Sequence, residues 1–388
     1  MRTIDIPHDF CVTTRRRWLV GAAATVAGTQ ALASASPADA APQRDVASCT
    51  PHQAIGDGAS HPLSERYQSL EAARADFPAA TSLDDEIDWC AIQSALDATA
   101  RTEAGGGVYL PNTGAAYVLN RGLRLNPART SVYGDGTRLD FTRLPEKSNA
   151  VHFAADSSPQ YGHERTAFQG FELIGPGRAS TYTAGLFFHT DLPAHSSRTV
   201  IRDCAIHGFY TGILMGDRAY IISFDHISVY HCRSALDCPY DLEDAGEGVS
   251  FNQSALFNCE NLVVNTAGFE LRFVSCSLDY CERVVWDNNG IIDFVSCRIE
   301  IRPPSTPPFH IAVGRIDFFG GFFLINGKEP PKVDQLFAFN DPGAAVHMTS
   351  LRGWNWKTTS GRLTKGPGKI YWVEGREIDM PPGRTWGD

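Results

Sequence analysis

Phe273-Val-Ser-Cys-Ser-Leu-Asp279 is echoed, starting 21 residues later, by Phe294-Val-Ser-Cys-Arg-Ile-Glu300, and each heptapeptide closes on a carboxylate. A period of this length fits one turn of a solenoid in which equivalent positions stack coil upon coil. Three earlier segments keep the same phase: Ile201-Arg-Asp-Cys-Ala-Ile-His207, Phe224-Asp-His-Ile-Ser-Val-Tyr230 and Phe251-Asn-Gln-Ser-Ala-Leu-Phe257. Their first positions are apolar, their fourth small or apolar, and their sixth Ile, Val or Leu. Such columns are the interior ladders of a solenoid, because no single coil can bury its own apolar face. Weaker coils precede them at Phe168 to Ile174 and follow at Ile316 to Phe323. A β-sandwich is the competing architecture, but its strands recur every ~8–12 residues and need no shared in-phase motif. The predicted fold is therefore all-β: a right-handed parallel β-helix.

The first forty residues read as an address. Thr14-Arg-Arg-Arg-Trp-Leu19 is a twin-arginine pattern, an Ala/Gly/Val-rich stretch follows from Val20, and small residues around Ala33-Ser-Ala35 and Ala38-Asp-Ala40 offer cleavage sites. No apolar run approaches the ~20 residues needed to span a membrane. The expected division is residues 1–40 as a twin-arginine signal peptide, 41–325 as the β-helix, and 326–388 as irregular coils or a small β cap. A protein exported in this way is secreted or periplasmic. The chain carries 44 acidic against 34 basic residues. That balance gives no electrostatic reason to bind nucleic acid or an anionic membrane.

Of the ten cysteines, Cys11 lies in the leader. Cys276 with Cys297, and Cys232 with Cys259 and Cys281, fall in repeat columns, where a buried thiol behaves as a small hydrophobe. Cys232 with Cys238 and Cys49 with Cys90 are looser disulfide alternatives. No CxxC pair or His/Cys cluster with zinc spacing occurs, so neither a metal nor a cofactor is expected.

Chemistry enters at the seventh position of each coil. The sixth faces inward, so the seventh faces out: His207, Tyr230, Phe257, Asp279, Glu300. In register, Asp279 and Glu300 are one strand spacing apart, about 4.8 Å. Two carboxylates on one outward column suit acid/base cleavage of a glycosidic bond, and either the retaining or the inverting separation is open to them. Tyr230 and Phe257 read as a sugar-binding groove beside them. Glu247, in the turn Gly246-Glu-Gly248, is a second-rank acid or else a plain turn residue. His226 is either an acid/base or substrate-binding group or a hydrogen-bonded structural histidine. Tyr280, Trp286 and Arg298 complete the substrate-binding candidates; Trp286 stacks on a sugar or packs, and Arg298 shares the face of Glu300.

The front of the chain carries a family resemblance. Ile55-Gly-Asp-Gly58, the run Asp88-Trp-Cys-Ala-Ile-Gln-Ser-Ala-Leu96, Gly105-Gly-Gly-Val-Tyr-Leu-Pro111 and Val132-Tyr-Gly-Asp-Gly136 resemble the opening of pectate-lyase-like β-helix proteins. Within that group the chain looks most like phage-tailspike polysaccharide depolymerases and their secreted bacterial relatives, over roughly residues 53 to 325. The resemblance implies an N-terminal capping helix. Ile92, Ala95 and Leu96 give that helix an apolar stripe able to close the open end of the solenoid. The N-T-D and paired-Asp motifs of polygalacturonases are missing, as is the clustered Asp set of calcium-dependent pectate lyases. The expected function is a secreted polysaccharide depolymerase, a glycoside hydrolase cleaving within its chain. A polysaccharide lyase using Tyr280 or His226 as base and Arg298 as charge neutraliser is the enzymatic rival. A non-catalytic glycan-binding solenoid is the third reading. The expected partner is a polysaccharide, and tailspikes bring a homotrimer into consideration.

Overall fold

The structure, a computed structural model, describes residues 53–102, 105–156, 166–191, 194–240, 242, 244–302, 306–325, 335–354 and 363–373. The expected leader lies outside them. The described chain is a parallel β-helix with two α-helices, Leu70–Asp76 and Ile87–Arg101, both before the first strand. None of its helices is long and apolar enough to cross a membrane.

Each coil of the body supplies two short consecutive strands to a long sheet and a third strand to a second sheet of ten strands. All strand pairings are parallel and in phase with the sequence repeat: Phe224 pairs with Phe251, Phe251 with Phe273, and Phe273 with Phe294. Their rings stack through the interior at 4.5, 4.7 and 5.3 Å between centroids, and Phe318 continues the stack at 5.2 Å. The sixth-position column is equally buried. This continuous apolar pile is what each coil gains by adding to the next.

The bend between the two strands of the long sheet is a single residue in the left-handed region: Asp203, His226, Gln253, Ser275 and Ser296, with φ between 47° and 54°. The next coil places Gly320 at that corner. This conformation turns the chain while keeping its amide in the ladder, since Gln253 N donates to Val274 O at 2.9 Å and Ser275 N to Val295 O at 2.8 Å. The strain of the left-handed region thus lets the sheet change direction without losing a hydrogen bond.

The capping helix does more than bury its stripe. Asp88 accepts from Ile55 N at 2.6 Å and from Val118 N at 3.0 Å. Gln93 accepts from Arg124 N at 2.8 Å and donates to Arg124 O at 3.1 Å. These side chains satisfy backbone groups of the first coil that have no preceding strand.

Beyond residue 325, where irregular coils or a small β cap are expected, the described strands continue the solenoid. Phe337–Phe339, Ala345–Thr349, Arg352–Trp354 and Lys369–Val373 pair in parallel with the coils before them. Longer connections hide the period there, although the interior column continues from Phe318 to Met348. The eight described cysteines are free and buried. That excludes the Cys232–Cys238 pairing and leaves Cys90 a thiol; Cys49 lies outside the described residues. The hydrogen bond to Cys259, and then burial, hold Cys232 and Cys281 well above the usual thiol range.

Candidate active site

The outward column forms as the repeat predicts. His207 pairs with Tyr230, Tyr230 with Phe257, Phe257 with Asp279 and Asp279 with Glu300, each on the next coil. The two carboxylate residues are thus direct neighbours across one parallel ladder, at the ordinary spacing of about 4.8 Å.

The aromatic part of the column differs from the expected sugar groove. His207 stacks on Tyr230 at 4.7 Å and 13°, and Tyr230 on Phe257 at 4.9 Å and 7°. Both faces of Tyr230 and one face of Phe257 are taken by neighbouring rings, so Tyr230 presents its edge and hydroxyl, and the other face of Phe257 lies toward Asp279. Ladder spacing is close to ring thickness, and like rings in one column stack on each other first.

Glu300 is only 8% exposed, and Arg298 Nε donates to its Oε1 at 2.5 Å. A charge placed there needs such a partner, since an isolated buried carboxylate is very costly. Arg298 in turn lies over the Phe322 ring of the following coil at 5.5 Å. Asp279 is half-buried and accepts from the Ser277 hydroxyl at 2.6 Å.

Tyr280 is the corner residue after Asp279, with φ 58°. On the next coil the strand runs straight from Glu300 to Ile301, so the register slips between Asp279 and Cys281 and leaves Tyr280 bulged outward. Its phenol is held above its usual range by partial burial, then by the charge of Glu300 and a hydrogen bond to it, and by the charge of Asp279. Tyr280, Arg298, Asp279 and Glu300 therefore form one cluster. Arg302, overlooked in the sequence, reaches back across the coil of Tyr280 to donate to Asn258 Oδ1 at 2.7 Å. Its signal was present: it follows Glu300 by the same two residues by which Arg298 precedes it.

The other candidates lie elsewhere. Glu247 is exposed in the turn that leads into Val249–Asn252. The whole of that strand and the Gln253 corner separate it from the column of Asp279. His226 is a corner residue two coils before Asp279, bonded to Gln253 Oε1 at 2.7 Å. Trp286 belongs to the second sheet, with Arg283 over its ring at 4.6 Å and His310 beside it at 4.9 Å. Period alone assigns a residue to a coil, and the corner decides which sheet it faces. Among the described residues no group of three or more His, Cys, Asp or Glu is placed to hold a metal ion.

No protein-family profile matches the sequence, and no curated protein matches it. Among solved structures the chain is similar to the enzymatically active domain of tailspike protein 2 from bacteriophage CBA120, at 16% identity and a TM-score of 0.55, over 78% of this chain and 46% of that one. It is also similar to the catalytic unit of a GH87 alpha-1,3-glucanase from Streptomyces thermodiastaticus, at 12% identity and a TM-score of 0.46, over 91% and 72% of the two chains. The chain spans less than half the length of the CBA120 domain. What the two share is the fold: this chain is a parallel β-helix.

Proposed function

We propose that the protein is a polysaccharide depolymerase, a glycoside hydrolase whose two carboxylates are Asp279 and Glu300. The observation that carries this reading is their in-register placement on adjacent coils of one outward face. Arg298 donates to Glu300, which suits the group that acts as an anion, either nucleophile or base. Asp279 then protonates the departing oxygen. The fold shared with a tailspike domain described as enzymatically active supports an enzyme acting on a glycan. A lyase using Tyr280 as its base would need that phenol to lose its proton, and its surroundings push it the other way; His226, the other candidate base, is a corner residue two coils before Asp279.

The test is to incubate the full chain with a panel of bacterial and plant polysaccharides, reading new reducing ends and the ultraviolet absorbance of unsaturated uronides. Hydrolysis gives the first without the second. Asp279→Asn and Glu300→Gln are each expected to slow cleavage by about 10²-fold or more. Unchanged rates in both variants would sink the assignment, and a binding solenoid would show no cleavage at all. Export by the twin-arginine route and assembly into a homotrimer belong to the same proposal. They are read by where the mature protein is found and by its mass in solution.

A further inference from the structure

The other outward face of the long sheet carries a polar column that the proposed chemistry leaves unused. Arg272, Asp293, Asp317, His347 and Tyr371 follow one another in register on five successive coils. Asp293 accepts from Arg272 Nη2 at 3.0 Å, and Asp317 Oδ2 from Arg315 Nε at 2.7 Å. Each aspartate thus has its own arginine, which is enough for a purely structural charge ladder.

His347 and Tyr371 exceed that requirement. Asp317 is 4% exposed, and its Oδ1 accepts no hydrogen bond of good geometry. That oxygen faces His347 Nδ1 at 2.8 Å. The carboxylate contact at Nδ1 leaves Nε2 as the nitrogen for other partners, on a side chain 40% exposed. The Tyr371 ring stands edge to face with His347 at 4.9 Å and is 47% exposed. Unlike Tyr230 and Phe257, it has no parallel ring stacked on it among the described residues.

We infer that His347 and Tyr371, at the end of this column, form a second sugar-binding site taking one hydroxyl-bearing pyranose of a glycan chain. Tyr371 supplies the ring platform, while His347 Nε2 on the adjacent coil exchanges a hydrogen bond with a hydroxyl of the same ring. The arginines are committed to the aspartates, so the site favours a neutral sugar ring over an anionic one. This inference rests on the reading that the protein acts on a polysaccharide, and it places an anchoring site on the other side of the corner line, two to three coils beyond Glu300.

Binding is measured with the full chain carrying Asp279→Asn, which arrests cleavage, by affinity electrophoresis in gels containing dextran, xylan, alginate or polygalacturonate. Adding Tyr371→Ala or His347→Ala is expected to weaken retention by a neutral polymer about tenfold, with the melting temperature used to confirm folding. His347→Gln, which supplies a side-chain amide for hydrogen bonding, is expected to recover part of the loss. Retention equal to that of the Asp279→Asn parent, or no retention of that parent by any of the four polymers, would overturn the site. Cleavage by the intact chain with unchanged retention overturns only this site. Retention lost in the variants, with no cleavage by the intact chain, overturns only the proposed catalysis.

Discussion

Asp237 shows how one residue can break a local pattern at a cost. On the second sheet it stands outward in register between Leu214 and Val264, so its carboxyl is flanked by apolar side chains. Burial pushes its pKa up to about 6, against a smaller pull from Arg233 in the other direction. An acid whose folded pKa lies above its unfolded value binds more protons when folded, so stability falls as pH rises from about 4 to about 6. Asp237→Asn is therefore expected to raise the melting temperature at pH 7–8, with the gain vanishing below about pH 4. A gain independent of pH would assign the effect to packing instead. The Asp279–Glu300 neighbourhood was legible at this same scale because the seventh position of each repeat is fixed by period. Tyr280 was less so: only the slipped register between adjacent coils reveals that it bulges beside Glu300.

The recurring element is the strand, one-residue corner, strand unit. Its corner residue pays about 1–2 kcal/mol for the left-handed region when it is not glycine, and β-branched residues tolerate that region worst. Ser296, exposed at φ 52°, is such a corner. Ser296→Val is expected to destabilise the fold by about 1–2 kcal/mol, although the side chain packs against nothing essential, whereas Ser296→Gly is tolerated. Urea unfolding of the two variants distinguishes them, and equal midpoints would contradict a strained corner. The repeat displayed the apolar columns because burial constrains residue type. It did not display the corners, because Asp, His, Gln and Ser all occupy them. Trp286 and Glu247 each sit beyond a corner that the spacing does not mark, so the period alone does not place them beside Asp279.

At the scale of the whole molecule, a solenoid must end somewhere, and its first coil offers unpaired backbone groups. Asp88 and Gln93 of the capping helix meet that need. Asp88→Ala leaves several buried N–H groups without their acceptor and is expected to cost about 2–3 kcal/mol. Faster hydrogen exchange at Gly56 and Val118, with later coils unaffected, is the accompanying signature. Loss spread evenly over all coils would show that the helix is not a local cap. The sequence by itself determined the stacking: a repeated apolar column has one economical solution, and it carries Asp279 onto Glu300 whatever the loops do. Only the tertiary structure decided how those columns are used. Ring faces in the aromatic ladder close on one another because coil spacing matches ring thickness. The coils beyond residue 325 bring His347 and Tyr371 beside Asp317, because lateral placement depends on hydrogen-bonded register across connections whose lengths obscure the period.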